Sequence, residues 1–388
     1  PVFLDNPAGT QVPQSVVDAM SDCLLQANAN LGGYFETSRR ADAVMADARS
    51  AMADLLNAPS PDEIVFGQNM TTITFHLSRA IGRWLREGDE IILSRMDHDA
   101  NVSPWVLMAK DMGLTVRWLD FDTDTYEFDL KRLQMLITDR TRLVCVGLAS
   151  NVLGTINDVR AMAALAHEAN ALIYVDAVHY APHGQIDVQA LDLDFLVCSA
   201  YKFFGPHQGI LWGRSELLAD LEPYRLRPAA KEPPGSYETG TQSHEGIAGV
   251  TAAVDYLATL GNDAGDDRRA QLARAMYRIT AYESTLRDHL LDELAARPSI
   301  TVHGITAPER RSHRVPTVSF TADSLTPPQL AQGLAERGIC CWDGHSYAVE
   351  PIGALGLMKS GGVLRVGMAH YNTIEEVDRL LGALSDLL

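Results

Sequence analysis

ALIYVDAVHYAPHGQIDVQALDLDFLVCSAYKFFGPHQGILWGR (residues 171–214) contains three short apolar runs separated by polar and turn-forming residues. The first, 171–175, ends on Asp176; the second, 195–198, ends on Ser199; the third, 209–212, follows Gly205 and Pro206. Short runs with such punctuation predict strands buried on both faces. Lys202 stands just past the second run, among aromatic and small residues. A carboxylate at one strand end and a lysine beyond another is the layout a pyridoxal phosphate site needs. The lysine holds the aldehyde as a Schiff base, and the carboxylate keeps the pyridine nitrogen protonated so that the ring draws electrons. Neither residue is diagnostic alone: an Asp at a strand end is more often a turn residue, and a lone Lys a solvated surface charge.

Outward from this stretch the pattern alternates. Strands are predicted at 63–66, 90–93, 115–119 and 143–146, with helices starting at Pro13 and running over 38–57, 129–136 and 158–170. The first helix places Val16, Val17, Met20 and Leu24 on one face, and Ser38 caps the second. Repeated βαβ units imply a mostly parallel sheet whose site lies at the carboxyl ends of its strands. The turn 67–70 leads into a helix whose first N–H groups, with a hydroxyl, suit a phosphate. Past Arg214, residues 222–242 are rich in Pro, Gly and charge and read as a long loop. Helices follow at 246–260 and 266–297. An α+β segment then has strands at 300–302, 317–320, 339–342 and 363–366 and helices at 327–337 and 373–388.

The strings SNVLGT (150–155), YVDAVH (174–179), IDVQALDLDF (186–195) and SAYKFFGP (199–206) resemble the class V aminotransferases, within them the cysteine desulfurase-like branch. The resemblance implies fold type I of the pyridoxal phosphate enzymes: an α/β large domain with a seven-stranded, mostly parallel sheet between helices, and a smaller α+β C-terminal domain. The expected division is an arm at 1–15, the large domain at 16–258 and the small domain at 259–388. It also implies roles. Lys202 is the Schiff-base lysine and moves the Cα proton, and Asp176 pairs with the pyridinium nitrogen. His98, in DHDAN (97–101), stacks on the ring. Asn151 reaches the cofactor oxygen or the substrate carboxylate, and His179 takes the place where relatives use Gln on the ring hydroxyl. Thr71, Ser199 and Tyr201 contact the phosphate with side chains and Met70 with its backbone. Arg365 binds the substrate carboxylate. YETGTQ (237–242) resembles the segment that crosses to a partner subunit, where Thr241 binds the other monomer's phosphate, which implies a homodimer.

The chain of 388 residues is 46% hydrophobic and 21% charged, with a net charge of −18. That acidity argues against nucleic acid or anionic membranes as partners. No apolar run reaches spanning length, and the N-terminus lacks the basic-then-apolar order of a signal peptide. The chain begins with Pro1 rather than Met, so the expectation is that residues precede it. Cys23, Cys145, Cys198, Cys340 and Cys341 form no CxxC pair and have no His at metal-ligand spacing, so no metal is expected. Reduced thiols in a cytoplasmic protein are the expectation, two of them in strand cores.

CCWDGHSYAVE (340–350) departs from the desulfurase pattern. Desulfurases resemble RTGHHCAMP there, and alignment on the Gly-His puts Tyr347 at their sulfur-accepting cysteine and Trp342 at their arginine. Near Phe35, relatives carry histidine, and Thr72 replaces a Glu. Tyr cannot take up sulfane sulfur, and Cys340 and Cys341 fall several residues early. The expected chemistry is elimination at Cβ, a C–S or β-lyase on a small amino acid, with Tyr347 either donating a proton to the leaving group or to Cα or packing as a ring in the pocket. Transamination and epimerisation are the alternatives, ahead of a non-enzymatic scaffold for which Arg365 would have no use.

Overall fold

The three runs of 171–214 become neighbouring strands in a computed structural model that describes residues 1–262 and 265–388. In chain order the elements are β1 (Val2–Phe3), α1 (Gln14–Gln26), α2 (Glu36–Leu56), β2 (Ile64–Gly67), α3 (Met70–Trp84), β3 (Glu90–Ser94), α4 (Ser103–Met112), β4 (Thr115–Leu119), α5 (Leu130–Leu136) and β5 (Thr141–Gly147). Next come α6 (Val159–Glu168), β6 (Leu172–Asp176), β7 (Phe195–Ser199), β8 (Gly209–Gly213), α7 (Ser215–Asp220), α8 (His244–Leu260) and α9 (Arg268–Ala295). The remainder is β9 (Ile300–His303), β10 (Thr317–Ala322), α10 (Pro327–Glu336), β11 (Ile339–Cys340), β12 (Trp342–Gly344), α11 (Val349–Ala354), β13 (Val363–Gly367) and α12 (Ile374–Leu387).

The seven-stranded sheet has the order β2-β8-β7-β6-β5-β3-β4. All its pairs are parallel except those of β8 with β7 and β2. Successive strand residues point to opposite faces, and helices cover both. Ile92, Val144, Val146, Ile173, Val175 and Leu196 pack with Met52 of α2, Ala163 of α6 and Val250 of α8. Ile91, Leu93, Cys145, Tyr174 and Val197 pack instead with Leu77 and Ile81 of α3 and Trp105 of α4. Burial on two sides is why these strands read as unbroken apolar runs, each large side chain contributing about 1.5–3 kcal/mol. Because β3, β5, β6 and β7 run the same way, Ser94, Gly147, Asp176 and Ser199 end together on one edge of the sheet.

A smaller antiparallel sheet, β12-β13-β10-β9, packs Val318, Phe320, Leu364 and Val366 against Leu286 and Leu290 of α9 and Leu380 of α12. The arm at the start of the chain belongs to this unit's core. β1 pairs in parallel with β11, Val2 opposite Ile339, and Leu4 is fully buried. The Gly367 N–H donates to the Leu4 carbonyl at 2.8 Å, and Asn6 Nδ2 donates to the Gly367 carbonyl at 2.7 Å.

Four local expectations change. The buried stripe of α1 is Val16 and Cys23, continued by Ala27, while Val17 and Leu24 face outward. Ser38 is not the cap of α2: it is buried in the first turn, where its Oγ accepts the Gly33 N–H at 2.7 Å and donates to the Asn30 carbonyl at 2.6 Å. The strand expected over 339–342 is two strands, because β11 follows β1 while β12 turns to pair with β13. The helices α4, α7 and α11 have no counterpart in the sequence reading. No helix among the described residues is long and apolar enough to cross a membrane.

Gly209 sets how closely α3 approaches the sheet. Asn69 caps that helix by accepting the Thr72 N–H at 2.9 Å. A Cβ on Gly209 would fall 2.4 to 2.8 Å from Asn69 backbone atoms, inside contact distance. Gly209→Ala is therefore expected to cost about 1–3 kcal/mol in thermal unfolding. Gly353→Ala, in α11 with nothing within 4 Å of the added carbon, should be close to neutral.

Candidate active site

The strand ends of the large sheet form the floor of a cavity of about 560 Å³, whose walls come from the arm, the start of α3 and the small sheet. Lys202, in the turn after β7, donates from Nζ to the carbonyls of Pro7 and Ala8, the latter at 3.0 Å. Burial draws its pKa down to about 7; the Arg365 charge adds to this, while Asp5 and Asp176 oppose it. A lysine near that value sheds its proton at neutral pH and becomes a nucleophile.

Two buried carboxylates line the same cavity. Asp176, at the end of β6, accepts the Val178 N–H at 2.9 Å. Burial raises its pKa to about 6, against the opposing pull of that bond and of Lys202. Asp97 accepts the Gly147 N–H at 2.8 Å and Asn101 Nδ2 at 2.7 Å. Burial raises it to about 7, and the neighbouring Asp176 charge pushes in the same direction. Gly147 and Asp176 are register partners on β5 and β6, so Asp97 is fastened next to Asp176. The sequence reading quoted Asp97 inside DHDAN but gave its weight to the histidine.

His98 accepts the Ala100 N–H through Nδ1 at 3.0 Å, which leaves the proton on Nε2. Burial lowers its pKa to about 4, with Lys202 and Arg365 contributing, so the ring is neutral. His179 is buried and shares a 2.9 Å hydrogen bond with Thr317 Oγ1; burial first, then His183, pushes its pKa well down. At the other end of the cavity the Met70 N–H, first of α3, donates to Ser199 Oγ at 3.0 Å. Thr71 and Tyr201 line the same end, and the Tyr201 ring stacks on His207 at 4.9 Å.

On the opposite wall Arg365 Nη1 donates to the Asn151 carbonyl at 3.1 Å, and Nη2 lies 3.8 Å from Asp5 Oδ1. Asn151 Nδ2 donates to the Ser346 carbonyl at 2.9 Å. Arg365 Nε, Asn151 Oδ1 and Ser346 Oγ are buried with no hydrogen-bond partner among the described residues. Leaving such groups unpaired costs about 1–3 kcal/mol each, and a polar ligand would satisfy them. Tyr347 lies in the same loop with its ring 5.5 Å from that of His98. Of the residues picked from sequence, Met70, Thr71, His98, Asn151, Asp176, His179, Ser199, Tyr201, Lys202, Tyr347 and Arg365 all line this cavity. Thr241 does not: it is exposed, beside Gln242 and Ser243. Cys340 and Cys341 are absent from the lining as well. The Pro7 and Ala8 carbonyls went unseen in the sequence, since backbone acceptors leave no residue-type signature.

This donor set fits pyridoxal phosphate. It has an amine that deprotonates near neutrality, a buried acid for the ring nitrogen, a neutral imidazole and a helix start with hydroxyls at one end.

Comparison with known proteins agrees. The family model described as aminotransferase class-V matches residues 2–380. The chain is 34% identical to the "Aminotransferase-like protein FGM3" of Gibberella zeae, covering 100% of this chain and 94% of that protein. It is 32% identical to a cysteine desulfurase of Dickeya dadantii, covering 98% and 90%. The crystal structure of the cysteine desulfurase CsdA from Escherichia coli superposes with a TM-score of 0.85 at 29% identity, over 99% of this chain and 94% of that one.

A test follows from Asp176. Its folded pKa of about 6 exceeds the ordinary 3.8, so without cofactor the buried carboxylate loses stability as pH rises between those values. Asp176→Asn should therefore raise the thermal stability of the cofactor-free chain above pH 6, by up to about 3 kcal/mol, with no difference near pH 4. Added cofactor should protect the wild type more than the variant.

Proposed function

The chain belongs to the aminotransferase class-V family and is a pyridoxal 5'-phosphate enzyme, and on that premise we propose that it eliminates a substituent from Cβ of an α-amino acid, a C–S or β-lyase, without forming a protein persulfide. One observation carries the reading. The loop over the cavity presents Tyr347 where desulfurases resemble a sulfur-accepting cysteine, and neither Cys340 nor Cys341 lines the cavity. Burial, then Asp5 and Asp343, holds the Cys341 thiol up at about 12, far from the thiolate that sulfur transfer needs.

Bound in this cavity, the cofactor withdraws electrons from Cα and lowers the cost of removing its proton. The protein's own residues do the rest. Lys202 Nζ is the amine that would hold the aldehyde, and as a free amine it would be the base that moves the α proton. Asp176 would take the pyridinium nitrogen, and a cation there would draw its carboxyl back toward the ionised form. Neutral His98 would cover the ring, and His179 would serve the ring hydroxyl. The Met70 N–H, Thr71, Ser199 and Tyr201 would hold the phosphate, with the α3 dipole aiding. Arg365, with Asn151, receives the substrate carboxylate and orients Cα. The Tyr347 hydroxyl gives its proton to the departing group.

Transamination is the second reading, supported by the family match and by the FGM3 relative. We also read the protein as a homodimer. Thr241 is exposed on the 222–242 loop and does not line the Lys202 cavity of its own chain, and Leu24, Leu25, Tyr34 and Phe35 are exposed apolar side chains.

The holoenzyme incubated with cysteine and S-substituted cysteines should release pyruvate and ammonia. Keto acid with pyridoxamine phosphate would select transamination, and sulfane sulfur on the protein would sink the persulfide-free reading. Lys202→Ala should lose the visible absorption band and at least about 10²-fold in kcat. Tyr347→Phe should cut kcat by about 10²-fold with little change in KM if its hydroxyl is the acid.

A further inference from the structure

We propose that Trp342 and Tyr347 form an aromatic wall at the mouth of the cavity that selects α-amino acids whose side chain ends in an apolar or aromatic group; this rests on reading the site as one for α-amino acids. Trp342 of β12 stands directly opposite Arg365 of β13 in antiparallel register. The two side chains therefore leave the same face of the sheet with Cβ atoms roughly 5 Å apart. Arg365 is buried at the bottom of the cavity, whereas Trp342 is 57% exposed at its rim. Across the opening, Tyr347 follows Ser346, whose carbonyl is held by Asn151 Nδ2, and its side chain is 67% exposed. The carboxylate seat thus has two largely exposed aromatic rings near it, that of Tyr347 with one face toward His98 at 5.5 Å.

An α-amino acid held by its carboxylate at Arg365 and by its nitrogen at Lys202 is fixed through its two polar groups deep inside. Its side chain is the part left to face the rim. The cations of the lining, Lys202 and Arg365, both sit within. The acid near the rim, Asp99, already accepts Ser103 Oγ at 2.7 Å. An anionic side chain finds no cation at the rim among the described lining residues, while an apolar one covers surface that Trp342 and Tyr347 otherwise leave in water. Two large exposed aromatic rings at one cavity mouth add little to folding and much to ligand selection. An S-aryl or S-alkyl cysteine has this shape: a polar α-amino acid head and an apolar end.

The test uses α-methyl amino acids, which lack the proton whose removal starts turnover, so that binding is read at equilibrium. With the holoenzyme, α-methylalanine and α-methylphenylalanine are titrated and the cofactor's visible absorption followed. The phenyl ring should improve affinity on the order of 10-fold. Trp342→Ala should weaken the phenyl compound about 10-fold more than α-methylalanine, and Trp342→Phe should restore most of the difference. Equal affinities in the wild type, or a Trp342→Ala loss shared equally by both ligands, overturns the inference and leaves the amino-acid reading standing. No spectral response to any amino acid while the cofactor is bound overturns both.

Discussion

Taking charge out of water is expensive, and this fold does it four times within one cavity. Lys202, Asp97, Asp176 and Arg365 line it together, and burial pushes each toward its neutral form. A set of ions assembled only for stability would close on itself as pairs. Here the fixed partners are mostly backbone: the N–H of Val178 on Asp176, the N–H of Gly147 on Asp97, the carbonyls of Pro7 and Ala8 on Lys202. Backbone groups at strand ends are rigid and cannot follow a side chain that moves. The parallel sheet supplies such ends in a row, so the topology and the electrostatics of the site answer the same requirement.

How much of this is visible in the sequence depends on how local the cause is. β6, β7 and β8 are readable because burial on two faces leaves an apolar run that stops at a polar residue, and the cavity-lining Asp176, Ser199 and Lys202 are those stops or lie just past them. The stripe of α1 is not readable in the same way. Val17 and Leu24 share a face as plausibly as Val16 and Cys23 do, and only packing against α8 decides which pair is covered. The break between β11 and β12 needs two partners, β1 and β13, that are remote in sequence. Asp97 illustrates a third kind of difficulty. Its identity is plain, but its importance comes from being tied to Gly147 at the end of β5, across the intervening α4, β4 and α5.

The loop carrying Tyr347 shows how one side chain can be positioned with little burial, its ring meeting the imidazoles of His98 and His345. Gly344, Ser346 and Tyr347 all have positive φ, at 103°, 48° and 56°. Non-glycine residues held there cost about 1–3 kcal/mol each. The strain is offset by three backbone-directed bonds: Asn151 Nδ2 to the Ser346 carbonyl, the Asp99 N–H to the Tyr347 carbonyl at 2.7 Å, and the Ala348 N–H to the His345 carbonyl at 2.7 Å. The main chain is pinned on both sides of the ring, which leaves the ring free to face solvent and whatever the cavity receives.

The arm that pairs with β11 has a consequence for biosynthesis. Asn6 and Gly367, which bond to each other, are separated by 361 positions. Residues 2–8 leave the ribosome long before the strand and carbonyl they dock on exist, so the large sheet can collapse with its lysine still uncovered. The Pro7 and Ala8 carbonyls reach Lys202 only after β11 and β13 have emerged and packed. The catalytic cavity is therefore among the last features of the molecule to be completed, and a nascent chain remains without a finished site until its synthesis is nearly over.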